Sequence, residues 1–147
     1  VHPGALVVRL PLLYGNSGGR GIGASDSILE AIDRGERPGL FHDEYRTPLE
    51  VSNVAEALIE LAGDDATGLL HLAGSERISR LDLGLAVLRA MGLEPDEAEG
   101  CIQSRSRMDL PGHEERPADV CLDGSAARGV LELPLTDVAT GLAQAMR

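Results

Sequence analysis

The sequence predicts an α/β chain, on three observations. Two short continuous apolar runs, at residues 5–10 and 68–74, are rich in Leu and Val and bounded by Gly or Pro. Such runs are the pattern of strands buried on both faces of a parallel sheet. Between and after them, apolar residues recur at helical spacing, most clearly at Val51, Val54, Ala55, Leu58, Ile59 and Ala62. The resulting order is strand, helix, small strand, helix, strand, helix, small strand, helix, which means α/β with the longer strands parallel.

The first run is Ala5-Leu-Val-Val-Arg-Leu10, closed by Pro11. A loop with Gly15, Gly18, Gly19, Gly21 and Gly23 follows. Such a loop after a strand can cradle phosphate, but no strict G-x-G-x-x-G or Walker spacing is present, so it reads as a flexible connection. Ser25 is positioned to cap a helix through Ile28, Leu29 and Ile32, with Gly35 as its stop. Gly39-Leu-Phe41 is a short strand. Pro48 blocks helix on its N-terminal side. Ser52 or Asn53 can then cap the helix that ends near Gly63.

The second run holds His71, which reads as a packed residue rather than a catalyst. Ser79-Arg-Leu-Asp82 resembles a capping box. Its helix carries Leu83, Ala86, Val87 and Ala90 on one face and stops at Gly92. Residues 94–100 read as a solvated acidic turn, and 102–111 as a polar Arg-bearing stretch. Val120-Cys-Leu122 is another short strand. Ser125 caps a helical turn, and Thr136 caps a last helix with Val138, Leu142 and Ala145 inward.

Composition excludes several functions. At 147 residues the chain is long enough for one domain with a core. With 43% hydrophobic but only 2% aromatic residues, that core must be Leu, Val, Ile and Ala. The near absence of aromatic platforms and a net charge of −11 argue against binding nucleic acid or anionic membrane. There is no Lys, so all 13 cations are Arg, and an anionic ligand must be held by individually placed guanidiniums. Cys101 and Cys121 read as two thiols in a reducing, cytoplasmic setting rather than a disulfide framework. No C-x-x-C or Cys/His cluster suggests a metal. The chain opens at Val1, not Met, and enters a strand within a few residues, so it reads as part of a longer protein. Arg46, the one cation in the loop ahead of the second helix, either pairs with Asp43, Glu44 or Glu50 or binds an anionic ligand.

Three stretches together carry a resemblance: Val7-Val-Arg-Leu-Pro-Leu-Leu-Tyr-Gly15, Arg46-Thr-Pro-Leu-Glu-Val-Ser-Asn-Val-Ala55, and Arg116-Pro-Ala-Asp119 followed by Leu122-Asp-Gly-Ser-Ala-Ala-Arg128. In this order over nearly the whole chain they resemble the C-terminal half of an extended short-chain dehydrogenase/reductase. The most similar subfamily is the dTDP-4-dehydrorhamnose reductase-like proteins, with nucleotide-sugar epimerases and dehydratases next. The resemblance implies that residues 1–147 form the last strands and helices of a Rossmann-like parallel sheet plus a small substrate-binding lobe. It implies NAD or NADP as cofactor in the full-length protein, with Leu10, Pro11 and Leu12 beside the nicotinamide. It implies a nucleotide-sugar substrate whose diphosphate is held by Arg46 and Arg116 and whose ribose meets Asp119. It leaves a homodimer open.

Two departures qualify that picture. Leu12 stands where rhamnose-type reductases often carry a Trp, and Thr47-Pro48 follows the reductase branch rather than the commonest form. The family's Gly-rich cofactor motif and its Tyr-x-x-x-Lys pair are absent from these residues, and without Lys the second cannot occur here. Tyr14 and Tyr45 do not replace it. The reading is therefore the substrate-binding portion of a reductase or epimerase, with a non-catalytic binding module of the same fold as the alternative.

Overall fold

The structure is a computed structural model that describes residues 2, 4–18 and 20–146. Val1 and Gly19 lie outside the described residues. The elements run β1 (Leu6–Arg9), β2 (Leu13–Tyr14), α1 (Ala24–Asp33), β3 (Gly39–Phe41), β4 (Tyr45–Arg46), β5 (Leu49–Glu50), α2 (Val51–Ala62), β6 (Gly68–His71) and β7 (Ile78–Ser79). They continue with α3 (Arg80–Ala90), α4 (Pro95–Cys101), β8 (Gln103–Arg105), two 3₁₀ turns (Arg107–Asp109 and His113–Glu115), α5 (Ser125–Val130) and α6 (Val138–Ala145).

The strands pair two by two. β1 and β6 run parallel, with Leu6 opposite Gly68 and Arg9 opposite His71. β2 pairs β5 and β3 pairs β8, both parallel. β4 and β7 are antiparallel, with Tyr45 opposite Ser79 and Arg46 opposite Ile78. The α/β class and the parallel pairing of the two longer strands are therefore as the sequence predicts.

Three apolar clusters hold these pairs. Leu49, Val54, Ala57, Leu61, Leu70, Leu72 and Ala127 pack α2 and α5 under the β1/β6 pair. Tyr14, Ala24, Leu83, Val87, Val138 and Leu142 join α1, α3 and α6. Ile28, Leu40, Leu88, Ala98 and Ile102 seat α4 against α1 and α3. Each buried Leu or Ile contributes roughly 1.5–3 kcal/mol, so a Leu-rich core suffices without aromatic bulk.

Several local expectations are corrected. The runs at 5–10 and 68–74 are not buried on both faces: Val7, Leu10 and Leu69 are exposed, because no layer of the described chain covers that side of the pair. The stretch expected as an acidic turn is instead the helix α4 (Pro95–Cys101), capped by Glu94, with Pro95 in its first turn and the Glu97 carboxylate accepting from the Glu94 N–H (3.0 Å). The acidic composition hid a helix start, where carboxylates are favoured. Residues 103–105 form a strand that escaped the pattern because all three side chains are exposed. Val120-Cys-Leu122 is not a strand; beside it, Asp119 forms an isolated bridge to Tyr45.

Four caps also move by a residue or more. Glu50, not Ser52 or Asn53, caps α2 through the Asn53 N–H (2.9 Å). Asn53 instead accepts from the Thr136 N–H (3.1 Å) and donates to the Pro134 carbonyl (3.1 Å). Asp137, not Thr136, caps α6 through the Thr140 N–H (2.7 Å). Ser25 lies inside α1, where its hydroxyl accepts from the Gly15 N–H (2.9 Å) and donates to the Gly15 carbonyl (3.1 Å). That exchange ties the start of the glycine loop to the helix. Gly124, not Ser125, is the cap residue of α5, with the Asp123 carboxylate accepting from the Ser125 N–H (2.8 Å). Ser79 does cap α3, accepting from the Asp82 N–H (3.0 Å).

Candidate anion-binding site

The β4/β7 ribbon positions the charged groups. Side chains alternate faces along a strand, and residues directly opposite on an antiparallel pair share a face. Glu44 and Arg46 therefore lie on one face. Arg80 joins them, because its backbone N–H donates to the Glu44 carbonyl (2.9 Å), one step beyond the Tyr45–Ser79 pair. Tyr45 takes the other face, where the Arg77 guanidinium stacks 3.5 Å from its ring centroid.

The segment after the second 3₁₀ turn adds a third strand-like edge. The Tyr45 N–H donates to the Ala118 carbonyl (2.8 Å), and the Leu122 N–H donates to the Thr47 hydroxyl (3.1 Å). This brings Arg116 onto Glu44. Arg116 Nη2 donates to Glu44 Oε2 (2.9 Å) while its Nε donates to Oε1, a bidentate fork. Arg46 Nη2 reaches the same Oε2 at 3.5 Å, and its Nη1 donates to the Tyr45 carbonyl (2.7 Å). The Glu44 side chain is 0% exposed, against 17% for Arg46 and 48% for Arg116. A fully buried carboxylate thus aligns guanidiniums that still reach solvent. The pairing with Glu44 holds Arg116 more firmly in its charged form. Burial, with Arg46 and Arg116 close by, opposes the charge on Arg80.

Arg46 also lines a cleft of about 300 Å³ at the end of β1, facing Leu10, Pro11 and Leu12, with Val120 beside them. Of the residues singled out in the sequence, the structure brings Leu10, Pro11, Leu12 and Arg46 into one cleft and joins Arg46 to Arg116 through Glu44. Asp119 belongs to the same ribbon but is already engaged: Oδ2 accepts from Arg77 (2.8 Å) and Oδ1 from the Cys121 N–H (3.0 Å). The Cys121 thiol and N–H, with Arg77, hold its carboxyl well below the usual carboxylate range. Burial, then Asp119, pushes the Cys121 thiol up to about 11.

Two further candidates take structural roles. Tyr14 is buried, its hydroxyl donates to the Asp137 carbonyl (3.4 Å), and burial with Glu50 nearby raises its pKa, so it is no acid/base group. His71 is half-buried and within 3.3 Å of Arg9 Nη1. Among the described residues no group of three His, Cys, Asp or Glu could hold a metal. Sequence reading left Arg80 as part of a capping box and Glu44 as one of three partners for Arg46. The Glu-x-Arg spacing of 44 and 46, one strand face, was the available signal. Arg80 had none, because its place depends on the β4/β7 register.

Fold and site together define a Rossmann-like α/β chain in which guanidiniums gather around a buried carboxylate. The chain belongs to the RmlD substrate binding domain family, whose model matches residues 1–147. A curated relative, the probable low-salt glycan biosynthesis reductase Agl14 of Haloferax volcanii, is 29% identical over 133 residues, covering 89% of this chain and 43% of that protein. Among solved structures, dTDP-4-dehydrorhamnose reductase from Yersinia enterocolitica superposes with a TM-score of 0.77 at 19% identity, covering 95% of this chain and 48% of that one. The Bacillus anthracis dTDP-4-dehydrorhamnose reductase, solved in complex with NADP, gives 0.77 at 14%, with 96% and 47% covered. A UDP-glucuronic acid 4-epimerase from Bacillus cereus, solved with NAD, gives 0.70 at 16%, with 95% and 43% covered. The chain thus spans about half the length of the relatives it matches.

Proposed function

We propose that this chain is the nucleotide-sugar-binding portion of an NAD(P)-dependent reductase or epimerase of the dTDP-4-dehydrorhamnose reductase type. The observation that carries the reading is the convergence of Arg46 and Arg116 on buried Glu44, with Arg46 also facing the cleft at the end of β1. Several guanidiniums around one carboxylate leave a net positive site in a protein whose net charge is −11. A diphosphate, with about two negative charges, matches that site in charge, and the planar fork of Arg matches phosphate oxygens. In this reading Arg46 and Arg116 grip the diphosphate, and Asp119 accepts from the ribose with the lone pairs that Arg77 and Cys121 leave free.

The family resemblance and the nucleotides in the solved relatives support NAD or NADP in the full-length protein. The apolar rim formed by Leu10, Pro11 and Leu12 fits the edge of a nicotinamide ring, which would supply hydride chemistry when bound. The residues that exchange the proton would come from outside these 147. We read residues 1–147 as one C-terminal region with the substrate lobe interleaved. We place the protein in the cytoplasm, which two free thiols, Cys101 and Cys121, support. No helix among the described residues is long and apolar enough to cross a membrane. A homodimer would be compatible with this reading.

Thermal melting with millimolar dTDP, UDP and dTDP-rhamnose tests the proposal. A ligand at about 100 times its Kd stabilises by about 2.7 kcal/mol, which shifts Tm by several degrees at this size. The expected shift disappears in Arg46→Ala. Absence of a shift with every nucleotide, on this chain and on the full-length protein, would refute the reading.

A further inference from the structure

We infer that Arg80 is a third anion-holding residue, closing with Arg46 and Arg116 a cradle around the diphosphate of a nucleoside diphosphate. The inference rests on the reading above and adds a residue to its site. It stands first on position. The β4/β7 register sets Arg80 across from Glu44 and on the face of Arg46, and the backbone bond from Arg80 to Glu44 fixes that placement. A guanidinium at the start of α3 thereby comes near enough to two others, from different segments of the chain, for their charges to oppose its own.

It stands second on an unmet hydrogen bond. Arg80 Nη1 is buried and has no partner, whereas Arg46 Nη1 is satisfied by the Tyr45 carbonyl. The Glu44 oxygens accept from Arg116 and Arg46. Buried charged donors left without an acceptor are costly and rare, so such a group calls for an acceptor that arrives from elsewhere. A phosphate oxygen supplies both the acceptor and the negative charge.

The third ground is electrostatic. Arg80 is packed where burial and its two neighbouring cations all oppose its charge, and Glu44 alone favours it. A site in that condition gains more from an incoming dianion than one whose charges are already balanced.

The rival role for Arg80 is to serve as a third counter-ion of Glu44, and the two roles make opposite predictions for Arg80→Gln. As an anion holder, its removal takes away a cation whose charge Arg46 and Arg116 oppose, so the unliganded variant melts at or above the wild-type temperature. Its affinity for dTDP and for inorganic pyrophosphate, measured by calorimetry, falls about tenfold or more. Any binding of thymidine, which lacks phosphate, is unchanged. Arg80→Lys keeps the charge but loses the fork and is several-fold weaker than wild type. If Arg80→Gln does not fold, Arg80→Lys decides, and unchanged dTDP affinity there overturns the inference. So does an Arg80→Gln protein that binds dTDP like wild type, whatever its melting temperature, while Arg46→Ala loses binding. That outcome removes Arg80 from the cradle and leaves the nucleotide-sugar reading standing. Failure of the wild-type chain and the full-length protein to bind dTDP and pyrophosphate removes both.

Discussion

At the β1/β6 pair, Val7 is 49% and Leu69 52% exposed, although both are apolar strand residues. At the β4/β7 ribbon the position is reversed: a carboxylate, Glu44, is fully buried. The first region displays what water disfavours, and the second hides what water stabilises. Each would be costly if it were the whole account. The ribbon resolves its cost internally, because Arg46 and Arg116 arrive from separate segments to pair Glu44. The sheet pair does not, since nothing in the described chain lies over Val7 and Leu69. On the proposed reading, the difference separates an anion-holding lobe contained in these residues from a sheet that further protein would cover.

Breaking the buried charge tests the first half of this comparison and has the largest expected effect. Glu44→Gln keeps the shape and removes the charge that Arg46, Arg80 and Arg116 share. Removing one partner of a buried ion pair costs about 3–5 kcal/mol, and the half-exposed Arg116 places this site at the lower end. Urea unfolding should show that loss, and a cost under 1 kcal/mol would mean that the cluster is effectively solvated. Leu72→Ala, in the cluster under the sheet pair, comes next at roughly 2–4 kcal/mol, because Leu72 is fully buried against α2 and α5 neighbours. Its cost shows that the covered side of the β1/β6 pair is a true core even though the other side is open.

Gly74 links the two regions. An added Cβ there would lie on the Pro48 carbonyl oxygen, and the Gly74 N–H donates to the Thr47 carbonyl (3.2 Å). The connection from β6 to β7 therefore passes directly against the residues that follow Arg46. Gly74→Ala must move backbone rather than a flexible side chain. It should cost about 1–3 kcal/mol and weaken dTDP binding with it, whereas a stability loss with affinity unchanged would show that Arg46 is positioned independently.

The fold was legible where one residue's surroundings are local. Helix spacing located α1, α2, α3 and α6, and the glycine-bounded apolar runs located β1 and β6. What escaped was set by partners far along the chain. β8 shows no apolar alternation because its side chains are all exposed and it is held through its backbone to β3. Residues 94–100 were read by charge alone, while the buried face of α4 rests on a single Ala98. For the candidate site, the motifs singled out Arg46 and Arg116. Glu44 was legible only as one of three possible partners of Arg46, and Arg80 not at all, since its place depends on the β4/β7 register.

Asp119 offers a smaller effect with a definite sign. Its carboxyl is held low by the Cys121 thiol and N–H and by Arg77, so its contribution is present above the ordinary carboxylate range and is lost as pH falls toward the folded value. Both partners of the ion pair are about half exposed, which keeps the contribution below about 1 kcal/mol. Asp119→Asn should therefore lower Tm slightly at pH 7 and converge with wild type in strong acid. A difference that grows on acidification would reverse the assignment.

The smallest effect on stability comes from the open face, and it is the most informative about the comparison. Leu69→Thr introduces the β-branching that strands favour and replaces an exposed apolar side chain, so unfolding free energy should change by no more than about 0.5 kcal/mol. The same substitution should reduce self-association of the isolated chain in sedimentation experiments, because it removes part of the apolar face that two copies could share. In the full-length protein the expectation inverts. If further strands and helices cover Val7 and Leu69 there, Leu69→Thr leaves a hydroxyl facing an apolar layer and costs 1 kcal/mol or more. A variant equally silent in both contexts would mean that the face stays open in the complete protein, and the division into a finished lobe and an unfinished sheet would not hold.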